Sequence, residues 1–427
     1  MREDAVRTLT ARWVFPVTGS PIEDGAVAVE GGRIFRVGRR TDLAAEITGG
    51  ERWDLGQAAL LPGLVNCHTH LELAAFVPAA HQEAFVPWVV RLIQRRRATP
   101  LAEQAAAAEA GALALIRSGT TCVGEVSSTN QSLAALLRVG LRGIVYREIL
   151  GLAPEEAEAR QAAALAEVQS MRESTTGGLL VIGLSPHSPY ALSESLIRAC
   201  GNLVRRTGLP ATMHVAESPA ETAFLADGDG PVARLLYPAV GCAAPPPRRP
   251  ARSPAAYLED LGVADWCPLW VHAVHVDEAD CRFMAKRRIA VAHCPRSNHQ
   301  LSEGVAPIPS FLEHGIPVGL GTDSLASAAN LDLWEEMRAA WAAHGGRLSA
   351  TTILEMGTLG GALALGRADR IGSLTVGKQA DLIAVAAGHV QPADPVGSLL
   401  EGTRGADVLL SLIDGEVRYS REVLACA

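Results

Sequence analysis

The chain has 427 residues, 48% of them hydrophobic and 20% charged, with a formal net charge of −8. That length and apolar content allow one large domain plus a smaller one around a sizeable core and exclude a chain that is disordered overall, while the negative balance disfavours nucleic acid or an anionic membrane as the main partner. Eight cysteines without CxxC spacing suggest neither a disulfide framework nor a structural zinc knuckle, the start MREDAVRTLTARWVF lacks the apolar core of a signal peptide, and no apolar run approaches the ~20 residues that span a bilayer, so a reducing cytoplasm is the expected location.

Residues 1–60 read as short strands, at Thr8–Val14, Gly25–Val29 and Arg33–Val37, with hairpin turns expected at Ile22–Gly25 and Glu30–Arg33. From Leu60 the rhythm becomes strand, loop, helix, repeated. Strands are expected at Leu60–His68, Thr120–Val126, Leu141–Leu150, Leu179–Pro186, Ala211–Glu217, Leu269–His275, Ile289–His293 and Pro317–Asp323. Continuous apolar strands alternating with helices imply a parallel sheet, and eight units predict a closed (β/α)8 barrel over 61–365. An open doubly wound sheet is the alternative, but no GxGxxG follows an early strand. Residues 228–254, rich in Pro and Gly, read as a long loop between strands five and six, a lid or a disordered stretch. Strands return at Asp381–Val385, Val408–Ile413 and Glu416–Tyr419, so residues 1–60 and 366–427 are expected to form one composite β-sandwich domain.

In such a barrel, chemistry sits where the strands end at their C-terminal face. The first strand delivers His68 and His70, the fourth His187, the fifth His214 and Glu217, the sixth His272 and His275, the seventh His293 and the eighth Asp323. Seven of the chain's 12 histidines therefore fall at strand ends, which unrelated core histidines would not do. His81, His299, His314, His344 and His389 read as surface residues, and Cys67 and Cys294 as small packing residues rather than nucleophiles. Three histidines and an aspartate around one ion (His68, His70, His214, Asp323) suit one divalent metal, Zn2+ or Fe2+, with a position left for water. Such an ion makes hydroxide available near neutral pH. Asp323 can then accept the proton, His272 can align the nucleophile, and Glu217 can pass a proton to a ring nitrogen or leaving amine, which together is hydrolytic deamination.

The stretches LPGLVNCHTHLEL, MHVAESPAE, VHAVHVDEAD, VAHCPRSNHQL, VGLGTDSLAS and IGSLTVGKQADLIAV resemble the amidohydrolase superfamily, over nearly the whole chain. The resemblance places metal ligands on His68, His70, His214 and Asp323, the strand-six histidine on His272 and the proton-shuttling glutamate on Glu217. Binuclear members carry a carboxylated lysine on strand four. The only lysines here, Lys286 and Lys378, lie elsewhere, so a mononuclear, deaminase-type site is implied.

Within that branch SPHSPY at Ser185–Tyr190 resembles the methylthioadenosine/adenosylhomocysteine deaminase pattern, which gives His187 a substrate contact. HTHLEL followed by FVPWVVRLIQRRR is similar to aminodeoxyfutalosine deaminases. Arg147 and His293 are further candidate substrate contacts. Where the methylthioadenosine enzymes place a ribose-binding glutamate, this chain has Arg95-Arg96-Arg97, which suits a carboxylate-bearing substrate, though an exposed charge run is also simply a solvated helix face. The expected substrate is a purine-nucleoside-like small molecule, 6-amino-6-deoxyfutalosine first, with methylthioadenosine, adenosylhomocysteine or adenosine and triazine-type hydrolysis as alternatives. A homodimer is a family expectation. A silent scaffold would be expected to have lost ligands that are all present here.

Overall fold

The computed structural model describes residues 6–79, 81–175, 177–242 and 249–421. Both ends of the chain build one eight-stranded sheet, and eight further strands, β6 to β13, lie between them. The sheet holds β1 (Arg7–Val14), β2 (Ile22–Glu30), β3 (Arg33–Arg39), β4 (Glu51–Asp54) and β5 (Ala58–Pro62) from the N-terminal part, with β14 (Leu382–Ala386), β15 (Val408–Ile413) and β16 (Glu416–Ser420) from the C-terminal part. Its order is β16-β15-β14-β5-β1-β2-β3, with β4 on β1. β5 is the splice: it runs parallel to β1 and antiparallel to β14.

The hairpin at Gly31–Gly32 forms as expected, both glycines having positive φ, 54° and 73°. The turn expected at Ile22–Gly25 does not form. Those residues belong to β2 and pair with β1, and the chain reverses earlier, around Pro16 to Pro21. Gly25 marks a close approach rather than a turn, because a Cβ there would meet Val14 Cγ2 at 2.6 Å.

The other strands are β6 (Leu64–Thr69), β7 (Thr120–Ser127), β8 (Arg142–Ile149), β9 (Leu180–Pro186), β10 (Thr212–Val215), β11 (Leu269–His272), β12 (Ala290–His293) and β13 (Val318–Leu320). They form two parallel ladders, β6 to β9 and β10 to β13. Two seams close the ring. Leu184 bridges Ala211, with Leu184 N–H donating to the Pro210 carbonyl at 2.8 Å. Thr69 bridges Asp323, with Asp323 N–H donating to His68 O at 3.1 Å and His70 N–H to Asp323 O at 3.3 Å. The eight strands thus form the barrel of a TIM-type fold, and the second seam is stitched by backbone of candidate site residues.

The expected single strand Leu60–His68 is in fact two. β5 ends at Pro62 in the composite sheet, Gly63 N–H donates to Asp381 O at 3.0 Å, and the barrel begins at Leu64. Gly63 allows this switch of sheets, since a Cβ there would meet Thr121 Oγ1 at 2.0 Å.

Val65, Cys67, Ile144, Tyr146, Leu269, Val271, Ala290 and Ala292 pack together inside the barrel. Alternate residues on the same strands, such as Val145, Ile149 and Val291, pack outward with the surrounding helices. Residues 228–254 are not simply a loop. The chain is helical over 232–239, and Tyr237 is buried there with its hydroxyl donating to Tyr190 O at 2.8 Å. The rest of that expectation falls partly on 243–248, which lie outside the described residues.

Candidate metal and catalytic site

Three strand ends converge. His68 and His70 stand at the end of β6, their rings 4.7 Å apart. His214, on β10, brings its Nε2 to 3.3 Å from His70 Nε2 and its ring to 4.7 Å from that of His68. Donor atoms of His68, His70 and His214 all lie within 4.8 Å of one another. Asp323 Oδ1 is 3.6 Å from His68 Nε2 and 3.8 Å from His70 Nε2.

The backbone at these ends is locally strained. Ala216, His272, Ala273 and Asp323 have positive φ, between 48° and 69°, which residues with a Cβ seldom adopt. These left-handed residues stop the strands and redirect the side chains that follow. Past β10, Ser218 caps the helix Pro219–Asp227 by accepting from Glu221 N–H, and the Glu221 carboxylate accepts from Ala216 N–H and Glu217 N–H at 3.0 and 2.9 Å. Glu217 is thereby held at a fixed exit from the strand.

Each candidate ligand is oriented from behind. His214 Nδ1 donates to His187 O at 3.0 Å, which leaves Nε2 bare toward the centre. Asp323 Oδ2 accepts from Ser297 Oγ at 2.6 Å and Ser327 Oγ at 2.8 Å, which leaves Oδ1 facing the histidines. The Glu72 carboxylate, in the same HTHLEL segment, accepts from Ser127 Oγ at 2.6 Å and from the amides of Ser128, Thr129 and Gln131. Glu125 takes Leu71 N–H at 3.1 Å, so the residues just after His70 are clamped to β7. Burial pushes His68 down to about 4 and His214 well below the ordinary imidazole range, so both rings are neutral at pH 7, as metal binding requires. For Asp323, burial alone would raise the carboxyl. It is outweighed by the close approach of His68 Nε2 and by the neighbouring His70 and His272, which hold Asp323 ionised.

These residues fit a divalent cation. His68 Nε2 is buried with no hydrogen-bond partner among the described residues. For metal–nitrogen bonds of 2.0–2.1 Å in a tetrahedral site, ligand nitrogens stand about 3.4 Å apart, close to the 3.3 Å between His70 and His214.

Opposite this cluster, His272 Nε2 lies 3.4 Å from Glu217 Oε1, and His272 Nδ1 donates to Asn298 Oδ1 at 2.8 Å. Burial pushes His272 down to about 4. Burial, together with the neighbouring carboxyls of Glu303 and Asp323, lifts Glu217 well above the usual carboxyl range, so Glu217 holds a proton. His187 also faces the pocket: its ring is 4.6 Å from that of His214, and Nδ1 pairs with Glu148 Oε1 at 2.9 Å.

The structure does not bring Arg147 or His293 to this centre. Arg147 shares the outward face of β8 with Val145 and Ile149, and its guanidinium bonds Glu167 on the helix Ala157–Ser174. Its neighbour Glu148 takes the lumen-facing position instead. His293 shares the outward face of β12 with Val291 and meets His344, ring centroids 6.2 Å apart. His344 is itself buried, at 2% exposure, and not on the surface as expected, because at the end of the helix Leu333–Ala343 its ring turns toward that of His293. His275 is half-buried beyond the sixth strand, which stops at His272. Sequence reading missed Glu148, Ser297, Asn298 and Ser327. Ser297 and Asn298 lie within VAHCPRSNHQL, so the motif carried the signal, but nothing in it says which neighbour each side chain meets.

An amidohydrolase family model matches residues 59–418. The chain is 33% identical over 416 residues to the 5-methylthioadenosine/S-adenosylhomocysteine deaminase of Syntrophobacter fumaroxidans, covering 93% of this chain and 89% of that protein. It is 34% identical over 341 residues to the aminodeoxyfutalosine deaminase of Deinococcus radiodurans, covering 78% and 79%. A zinc-bound adenosine deaminase from Xanthomonas campestris superposes with a TM-score of 0.81 at 27% identity, covering 96% of this chain and 92% of that one. The chain belongs to the amidohydrolase family. As an enzyme it is an aminohydrolase acting on C–N bonds.

Proposed function

We propose that this protein is a mononuclear, zinc-dependent hydrolytic deaminase that releases ammonia from the 6-amino group of an adenine-type nucleoside, with 6-amino-6-deoxyfutalosine as the preferred substrate. The convergence of His68, His70, His214 and Asp323 on one point, with the Glu217–His272 pair facing it, carries the reading. The absence of any lysine on β9 favours one ion over a bridged pair. Zinc suits three imidazoles and a carboxylate, and is the metal in the Xanthomonas neighbour.

When bound, the ion lowers the pKa of water toward neutrality and so supplies a nucleophile. The chain's own residues do the rest. His272, with Nδ1–H committed to Asn298, presents a bare Nε2 that aligns the attacking oxygen. Asp323 Oδ1 accepts the proton released on attack, since Oδ2 is already occupied by two serine hydroxyls. Glu217 gives its proton to the ring nitrogen beside the attacked carbon, which draws electrons away from that carbon. The proton from the water then reaches the departing amine. The enclosed pocket excludes bulk water, as the low exposure of Glu217 (4%) and Asp323 (5%) indicates.

Arg96 supports the carboxylate-bearing substrate. The three arginines of the Phe85–Ala98 helix differ in placement. Arg95 stacks on Phe76, centroid distance 5.3 Å, and Arg97 reaches toward Ala239 O, whereas Arg96 Nη1 points at Glu148, 3.9 Å from Oε2. A guanidinium at the pocket rim with one long contact is available to a substrate carboxylate. Deamination of methylthioadenosine, adenosylhomocysteine or adenosine is the second reading, favoured by the Syntrophobacter relative.

The test is ammonia release, on zinc-loaded protein, from aminodeoxyfutalosine, methylthioadenosine, adenosylhomocysteine and adenosine. The highest kcat/KM is expected for aminodeoxyfutalosine. A tenfold preference for any of the others would overturn the substrate and leave the reaction standing. Two metal ions per chain in the active protein would overturn the mononuclear site.

A further inference from the structure

One carboxyl beside the site has no task in the chemistry above. Glu303 lies in the segment that follows the helix Pro295–Gln300, just past Ser302, whose positive φ of 57° turns the chain inward. Its N–H donates to Asn298 O at 2.8 Å, so Glu303 hangs from the residue whose side chain orients His272. Glu303 is 2% exposed, yet neither carboxyl oxygen has a hydrogen-bond partner among the described residues.

Its acidic neighbours are all provided for. Glu221 holds two backbone amides, Asp323 two serine hydroxyls, and Glu148 both His187 and Ser128. A buried carboxyl with both oxygens idle destabilises a fold, and native proteins keep such groups chiefly where a ligand completes them. The next residue, Gly304, lies against the exit of β11, where a Cβ would meet Val274 Cγ1 at 3.5 Å. Glu303 is thus held beside the strand end that carries His272, the partner of Glu217.

We infer that the Glu303 carboxyl contacts the substrate, donating a hydrogen bond to the purine nitrogen N3, one atom beyond C2 from the N1 that Glu217 protonates. This rests on the adenine-type reading proposed above. N3 is an acceptor only, so its partner must carry a hydrogen. Glu303 does: burial and the Glu221 charge push it up to about 9, which keeps the carboxyl protonated at neutral pH. A base read at N1 by one carboxyl and at N3 by another is fixed in its own plane. That alignment presents C6 to the attacking oxygen.

The experiment is a cycle of two changes. Kinetics are measured for wild type, E303A and E303Q on the parent nucleoside, its 3-deaza analogue and its 7-deaza analogue, with Tm for each protein. E303A is expected to lose about 10- to 100-fold in kcat/KM on the parent. Wild type should lose a similar factor on the 3-deaza compound, and E303A on that compound should lose little more than either change alone. E303Q, whose amide still donates, should keep activity within about tenfold, and the 7-deaza penalty should be the same in wild type and E303A. Tm of E303A should hold or rise, because an unpaired buried carboxyl is gone; a structural role would lower it. Additive penalties, or E303A within threefold of wild type on the parent, would overturn the inference. A wild-type enzyme inactive on every adenine nucleoside but active on another cyclic amidine would instead overturn the proposed function.

Discussion

Two buried polar clusters sit at opposite ends of the barrel strands, and they are built on opposite rules. At the start of β8, Arg142 donates to Asp381 Oδ2 at 2.6 Å, to Asp381 Oδ1 at 3.1 Å and to Asp414 Oδ1 at 2.6 Å, and Asp414 N–H closes the group onto Asp381 Oδ1 at 2.9 Å. It ties the barrel to the composite sheet with no idle carboxylate oxygen on Asp381. At the strands' other end, His68 Nε2, His272 Nε2 and both Glu303 oxygens have no partner among the described residues. A saturated cluster can only hold the fold together. An unsaturated one carries a standing cost that metal and substrate would relieve, and the positive φ of His272 and Asp323 adds to that cost. Stability and chemistry are thus separated along the same eight strands.

That separation can be broken at either end, and the largest effect belongs to the chemical one. Glu217→Gln and Asp323→Asn are each expected to lower kcat/KM by about 10³-fold or more, since each removes a proton-transfer group, with Tm near wild type for Glu217→Gln and lower for Asp323→Asn, which also loses a metal ligand; steady-state kinetics beside a melting curve checks both. Chelation should abolish turnover and also lower Tm, because an ion that binds only the folded chain stabilises it; an unchanged melting curve after proven metal loss would argue against the cluster as the site.

Arg142→Met does the reverse. It strands the buried Asp381 charge and should cost about 3–5 kcal/mol in denaturant unfolding, with kcat/KM unchanged in whatever protein folds. Asn298→Ala comes next, with kcat lower by about 10- to 100-fold and KM nearly constant, since His272 loses only its orienting partner. Arg96→Ala should raise KM about tenfold for a carboxylate-bearing nucleoside and leave adenosine alone, a split that sharpens the substrate assignment. Smallest of all, Arg147→Ala removes a partly exposed pair with Glu167 and should cost about 1 kcal/mol or less with no change in KM, in keeping with its outward position.

The period of the strands was readable from the residues, and so was the grouping of histidines at their ends. A parallel barrel requires apolar runs of a given length, and its chemistry collects at one rim. That made His68, His70, His214, Glu217, His272 and Asp323 legible together. The phase of each strand was not. An alternation of period two says that Arg147 and Glu148 face opposite ways, and leaves open which one faces the lumen until the neighbouring strands close around it.

Arg147 and His293 were misplaced for that reason, while Glu148 was passed over and His344 was read as a surface residue. The sheet switch at Gly63 was equally silent, because an apolar run reads the same whether it stays in one sheet or crosses between two. Sequence by itself determined the fold class, the family and the donor types at the rim, since these depend on local period and on residue chemistry. The tertiary structure alone decided which face each side chain takes, which carboxyl is saturated and which is idle, because those follow from packing between residues as far apart as Arg142 and Asp381.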